Sequence, residues 1–76
     1  MPTLLNQEGF KFFFYANEHD PKHIHVLNAN GYAKIELGSL TVVKSTFKNA
    51  TLHKVLNLVR KHNDEFERKW NEFFNR

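Results

Sequence analysis

The stretch HIHVLNANGYAKIEL, residues 23–37, has the period-two alternation of a β-hairpin. At its centre is Asn30-Gly31, a pair in which both residues tolerate positive φ and which therefore favours a two-residue turn. Such a turn places Val26 opposite Ile35, so the apolar side chains of both strands fall on one face. The histidines fall on the other face, which we expect to be uncovered.

The same turn predicts a polar pair on the histidine-bearing face, where His25 lies directly opposite Glu36. Their Cβ atoms would then be about 5 Å apart. A carboxylate at that distance accepts a hydrogen bond from one ring nitrogen, fixes the tautomer and raises the pKa of His25 by favouring its charged form. This pair is therefore a candidate part of a functional site.

The segments around the hairpin extend it into an antiparallel meander of about four strands. Residues Phe10 to Ala16 alternate as a strand, and the even-numbered phenylalanines share the apolar face. Gly38-Ser39 is a second turn signal before the next apolar strand. Residues Thr3 to Leu5 are a further candidate edge strand.

From Asn49 onward the hydrophobic period changes from two to 3.6. The apolar stripe comprises Leu52, Val55, Leu56, Val59, Phe66, Trp70 and Phe73. An unbroken helix from Ala50 to Asn75 would be about 38 Å long, more than a small sheet can cover, and Asp64 with Glu67 resembles a new capping box. We therefore predict two C-terminal helices, separated at Asn63 and packed on the apolar face. Residues 1–76 then form a single α+β domain.

Composition excludes several classes of protein. The chain has no cysteine, so disulfides and thiolate zinc sites are excluded. No apolar run approaches the length of a membrane span, and the N-terminus lacks a secretion signal, so we expect a cytoplasmic protein without a membrane partner. The net charge of +3 favours a polyanionic partner such as nucleic acid.

The stretch NEHDPKHIHV, residues 17–26, contains three of the five histidines. Asp20-Pro21 is a turn signal, which places His19 before the turn and His23 after it. Strand alternation then directs His23 and His25 to the same face, with Cα atoms about 7 Å apart. Three imidazoles in one short segment indicate a candidate site.

The pattern N-x-H-x-P-x-H-x-H-V in this stretch, with Gly9-Phe10 opening the preceding strand and a tryptophan in the C-terminal helix, resembles the small prokaryotic family named domain of unknown function 4160. The resemblance covers nearly the whole chain, although members commonly carry a second proline where this sequence has Lys22. It implies that His19, His23 and His25 are signature residues without an assigned reaction. It also implies a two-gene, toxin–antitoxin-like setting with a cognate antitoxin-like partner.

Our first hypothesis for the histidines is that they bind or cleave nucleic acid. Histidine exchanges protons near neutral pH, so two imidazoles could act as acid and base across a phosphate. The candidate catalytic residues are His19, His23, His25 and Glu36. The candidate nucleic-acid-binding residues are Lys11, Tyr15, Lys22, Tyr32 and Lys34, with Phe13 as a further stacking surface.

Two alternatives remain open. His19, His23 and His25 could hold a divalent transition metal such as Zn²⁺, Ni²⁺ or Fe²⁺, with Asp20 or Glu36 as an oxygen ligand or outer partner. The histidines could instead be ordinary turn and cross-strand residues in a protein-interaction domain. In that case the C-terminal aromatic residues Phe73 and Phe74, which point about 100° apart on a helix, would provide a partner or homo-oligomer surface.

Overall fold

Residues 3–74 form a five-stranded antiparallel sheet followed by one long helix. The computed structural model describes residues 3–74. The strands are β1 (Thr3–Gln7), β2 (Phe10–Phe13), β3 (His23–Asn28), β4 (Gly31–Glu36) and β5 (Val42–Ser45), and the helix is α1 (Asn49–Phe74). Each strand pairs with its sequence neighbour in the order β1-β2-β3-β4-β5. Within residues 3–74, no helix combines the length and the apolarity needed to cross a membrane.

The expectation of an α+β meander is confirmed, but the count of about four strands is wrong. The candidate edge strand at Thr3 to Leu5 is confirmed as β1, which brings the count to five. It pairs with β2 through a two-residue turn, with Gln7 opposite Phe10. Glu8 and Gly9 both adopt positive φ, 54° and 82°, which is the geometry of the tight hairpin turn that matches strand twist.

The predicted helix break at Asn63 is also wrong, because α1 runs unbroken for 26 residues. The Asn63 side chain is occupied in another way. Its Oδ1 accepts a hydrogen bond from the backbone nitrogen of Gly38 at 2.7 Å, and its Nδ2 donates to the Glu67 carboxylate at 2.6 Å. The polar side chain therefore connects an unbroken helix to the β4–β5 turn, and Glu67 of the predicted capping box pairs with Asn63.

The register of the β3–β4 hairpin differs from the prediction by two residues. Asn28 pairs with Gly31 and Val26 with Ala33, so Ala29 and Asn30 form the turn. The Asn28 side chain accepts a hydrogen bond from the Asn30 backbone nitrogen at 2.8 Å, which starts the reversal one residue earlier. A shift of two preserves the face of every side chain.

Gly31 has a packing role in this hairpin. A Cβ atom added at Gly31 would lie 2.7 Å from the Phe47 ring, closer than real side chains approach. Glycine is therefore required because Phe47 packs directly against the backbone.

The apolar face lies under α1 as predicted. Val26 and Ile35 are fully buried, as are Phe12 and Phe14. Aromatic contacts join the two layers: the Phe12 ring stacks on Phe66 at 5.6 Å between centroids, and the Phe14 ring meets Trp70 edge-on at 5.3 Å. These pairs anchor the C-terminal half of the long helix to the apolar face.

Candidate functional site: a buried Glu–His–His cluster

Residues 14–22 form the connection from β2 to β3, and within it Tyr15, Glu18 and Pro21 contact the histidines of β3. Glu18, in the middle of this connection, is only 9% exposed, and His23 and His25 on β3 are each 4% exposed. The expectation that this face is uncovered is therefore wrong at the histidines. We refer to Glu18, His23 and His25 as the Glu–His–His cluster.

One carboxylate holds both imidazoles of the cluster. His23 Nε2 lies 2.8 Å from Glu18 Oε1, and His25 Nε2 lies 2.8 Å from Glu18 Oε2. The backbone nitrogen of Tyr15 donates a third hydrogen bond to Glu18 Oε2, at 3.1 Å. Each carboxylate oxygen therefore contacts a different imidazole, and the two rings converge on a single carboxylate.

The second nitrogen of each ring is also engaged. His23 Nδ1 lies 2.8 Å from the carbonyl oxygen of Pro21, and His25 Nδ1 lies 2.6 Å from the hydroxyl of Tyr32. A carbonyl only accepts hydrogen bonds, so His23 Nδ1 is the donor of that bond. The Tyr32 hydroxyl can donate or accept, so it suits either tautomer of His25.

Aromatic rings enclose the imidazoles on their remaining sides. The His25 ring stacks on Phe13 at 5.5 Å, and Tyr15 lies against it at 4.5 Å. The His23 ring meets Trp70 of α1 at 5.0 Å, so the cluster also touches the apolar core. The cluster is thus held in place by packing as well as by hydrogen bonds.

Burial is the largest influence on the pKa of His25 and on that of Tyr32. Desolvation lowers the pKa of His25 below its ordinary value and outweighs the opposing attraction of Glu18; His23 and Lys34 lower it further. Burial likewise raises the pKa of Tyr32, with smaller contributions from Tyr15 and Glu18. The predicted rise in the pKa of His25 is therefore wrong in direction.

The structure brings together two of the three sequence-predicted histidines. His19 is exposed, two residues before Pro21, and lies outside the cluster. Asp20 is exposed as well. Glu36 stands opposite His23 in the register, and His25 stands opposite Lys34, so the predicted His25–Glu36 pair is wrong.

Sequence reasoning missed Glu18 as the carboxylate of the cluster. Strand alternation reveals which β3 residues share a face, but it gives no information on the path of residues 14–22. The one available signal was proximity, since Glu18 precedes His23 by five residues and His25 by seven. A connection of that length can fold back over the strand that follows it.

The predicted nucleic-acid-binding residues are divided between the open sheet surface and the β2–β3 connection. Lys11, Tyr32 and Lys34 belong to β2 and β4, and each is partly exposed. Lys22 is partly exposed at the end of the connection, and Tyr15 is 46% exposed. The prediction omitted Lys44, which stands directly opposite Lys34.

Comparison with known proteins gives a family without an assigned activity. The family described as Domain of unknown function (DUF4160) matches residues 9–71. The chain belongs to this family. No curated protein and no solved structure matches the chain. The matched range of this DUF4160 chain includes the connection, both buried histidines and most of the helix.

The ligand atoms of this DUF4160 cluster are close enough to hold a metal ion. One nitrogen or oxygen from each of Glu18, His23 and His25 lies within 4.8 Å of the others. Ligands that bind a metal at about 2.0–2.2 Å lie about 3 to 3.5 Å from one another, a separation that follows from those bond lengths. Admitting an ion would lengthen the two 2.8 Å contacts with Glu18 and bring any wider pair of ligand atoms closer together.

Proposed function

We propose that this protein is a metal-binding module in which Glu18, His23 and His25 hold one divalent transition-metal ion. The observation that carries the proposal is the convergence of both Nε2 atoms on a single carboxylate, at 2.8 Å each. Two imidazoles and one carboxylate form a ligand set used by zinc and by non-haem iron. The set leaves at least one coordination position open.

The outer partners of the imidazoles support a metal site. A metal-binding histidine usually donates its second ring N–H to a carbonyl, carboxylate or other oxygen, which fixes the direction of the coordinating nitrogen. Pro21 offers a carbonyl to His23 Nδ1, and Tyr32 offers a hydroxyl to His25 Nδ1. Both Nε2 atoms are thus directed before any ion arrives.

Metal binding in this site would replace hydrogen bonds with coordinate bonds. A proton that His23 Nε2 or His25 Nε2 shares with Glu18 must leave when that nitrogen binds an ion. The Tyr32 hydroxyl can then accept from His25 Nδ1, so no buried polar atom is left without a partner. The affinity should consequently fall as the pH is lowered.

The contacts of the imidazoles with Glu18 favour metal binding over acid–base cleavage of a phosphodiester. A general acid or base needs a ring nitrogen within hydrogen-bond reach of the substrate. In the cluster both Nε2 atoms face Glu18, and the rings are almost fully buried. Metal coordination requires only that the two Nε2 atoms face the Glu18 carboxylate, which they already do.

Calorimetric titration of the chelator-stripped protein with Zn²⁺, and separately with Ni²⁺ and Fe²⁺ under argon, tests the proposal. We expect one ion per chain at pH 7.5 and a rise in melting temperature with stoichiometric metal, because the ion binds only the folded state. His25→Ala and Glu18→Gln should remove this binding. Tyr32→Phe should weaken it by about 10- to 100-fold.

His19→Ala and His53→Ala are the matched controls, since both remove an exposed histidine outside the cluster. Neither should change the stoichiometry or the affinity. Absence of binding for all three metals would overturn the proposal. So would binding that survives in the folded His25→Ala variant, because the ion would then be held elsewhere.

A further inference from the structure

The open part of the histidine-bearing face has an unusual arrangement of charge. Lys34 on β4 and Lys44 on β5 are cross-strand partners in the register, so their side chains leave the sheet on the same side. Their Cβ atoms are about 5 Å apart. Like charges in this position destabilise a sheet, and among residues 3–74 neither lysine forms an ion pair.

A third lysine extends this surface across the sheet. Lys11 on β2 occupies the same face, because Phe13 pairs with His25 and His25 pairs with Lys34. Its ammonium lies 5.6 Å from the centre of the Phe13 ring. We define Lys11, Lys34 and Lys44 as the lysine surface.

Two partly exposed aromatic rings border the lysine surface. Tyr15 is 46% exposed and packs against His25, so one side of its ring is fixed while the remainder faces solvent. Tyr32 is partly exposed, its ring centre lies 5.8 Å from that of His25, and its hydroxyl is hydrogen-bonded to His25 Nδ1. In proteins that bind single-stranded nucleic acid, aromatic rings stack on the unpaired bases and neighbouring cations contact the phosphates.

We propose that the lysine surface and Tyr15 bind single-stranded nucleic acid. The lysines meet successive phosphates, which relieves the repulsion between Lys34 and Lys44, and the Tyr15 ring stacks on an unpaired base. The proposal does not depend on the metal site, because none of these four side chains belongs to the Glu–His–His cluster. It excludes duplex as the preferred ligand, since paired bases are not available for stacking.

Fluorescence anisotropy with a labelled 12-nucleotide oligouridine, in the presence of a chelator, tests the proposal. The double variant Lys34→Ala/Lys44→Ala should bind about tenfold or more weakly than the wild type. The slope of the logarithm of the binding constant against the logarithm of the salt concentration should be shallower by about 1.4 than that of the wild type. This is the value for two lost phosphate contacts on a single strand. Circular dichroism confirms that the variant is folded.

Lys54→Ala/Lys61→Ala is the matched control, because it removes the same charge from exposed positions of α1. It should keep the wild-type affinity within about twofold. An equal loss in both double variants would overturn the proposal, since binding would then follow net charge alone. Failure of the wild-type protein to bind the oligonucleotide at low salt would overturn it as well.

Tyr15→Leu separates base stacking from charge. We expect it to weaken oligouridine binding by about fivefold or more while leaving the binding of inorganic polyphosphate unchanged. Polyglutamate is the second comparison. If polyglutamate binds as tightly as the oligonucleotide and Tyr15→Leu has no effect, the surface takes an acidic protein segment and the nucleic-acid proposal is overturned.

Discussion

The two faces of the sheet are both buried over residues 23–26 of β3, but by different means. On one face Val26 and Ile24 lie among apolar and aromatic side chains under α1. On the other face His23 and His25 lie beneath the β2–β3 connection, and the Nε2 atom of each lies 2.8 Å from a Glu18 oxygen. The first face is stabilised by apolar contacts with many neighbours, and the second combines aromatic packing with hydrogen bonds that meet at one carboxylate.

This difference explains why the second face is the better candidate for function. Burying a polar group costs free energy unless its hydrogen bonds are satisfied, so a buried cluster of three ionisable side chains is expensive to maintain for packing alone. Many apolar substitutions preserve a core. Few substitutions could preserve the convergence of two imidazoles on Glu18.

The largest effect should come from Trp70→Ala, on the apolar side of the comparison. Trp70 is fully buried and contacts Phe14, Phe74 and His23. Removing the ring should lower the free energy of unfolding by about 3–5 kcal/mol, as measured by urea denaturation. Phe73→Ala removes a ring that is 52% exposed and should cost less than half as much; equal losses would mean that the C-terminal end of α1 packs differently.

Glu18→Ala should have the next largest effect. It leaves both Nε2 atoms without their buried acceptor, which costs about 1–3 kcal/mol. Glu36→Ala is the control, because Glu36 is half-buried on the same face and, among residues 3–74, forms no ion pair. Urea denaturation in the presence of a chelator measures the free energy of unfolding of both variants. Similar losses would show that Glu18 contributes no more to stability than Glu36.

The stability of the metal-free protein should fall as the pH is lowered from 7 to 5. Burial holds the pKa of His25 below its ordinary value of 6.5, so the unfolded chain binds more protons in this range than the folded chain. The free energy of unfolding is then largest above about pH 6.5 and decreases as the pH approaches the folded pKa. The titratable groups that face His25 are Glu18, His23, Tyr15, Tyr32 and Lys34.

Denaturation at several pH values, with His25→Gln as the comparison, measures this effect. Glutamine retains hydrogen-bonding capacity but does not titrate, so the variant should show a shallower pH dependence than the wild type. An identical slope in the two proteins would assign the pH dependence to other groups.

The smallest effect should be a gain from Lys44→Glu. It converts the repulsive pair with Lys34 into an attractive one and should raise the free energy of unfolding by about 0.5 kcal/mol. Lys54→Glu makes the same change of charge on the exposed side of α1 and should be nearly neutral. Salt at 1 M screens exposed charges. If the two variants still differ in their free energy of unfolding under that condition, charge is not the cause of the difference.

Much of the fold follows from local patterns in the sequence. Alternation from Phe10 to Ile35 separates the two faces correctly, since side-chain direction in a strand repeats every two residues. The helical period after Asn49 predicts that Val55, Val59, Phe66 and Trp70 face the sheet, and all four are buried. These features depend on neighbours in sequence, so they are visible without a structure.

The remaining features were decided by contacts between distant residues. Asn63 does not end the helix because Gly38 binds its side chain, and the hairpin turns one residue early while Phe47 occupies the space beside Gly31. Glu18 meets His23 and His25 because residues 14–22 lie across the sheet. The sequence determined that two histidines share a face, and only the tertiary structure decided that a carboxylate from the connection joins them, because the path of a loop is set by what it packs against.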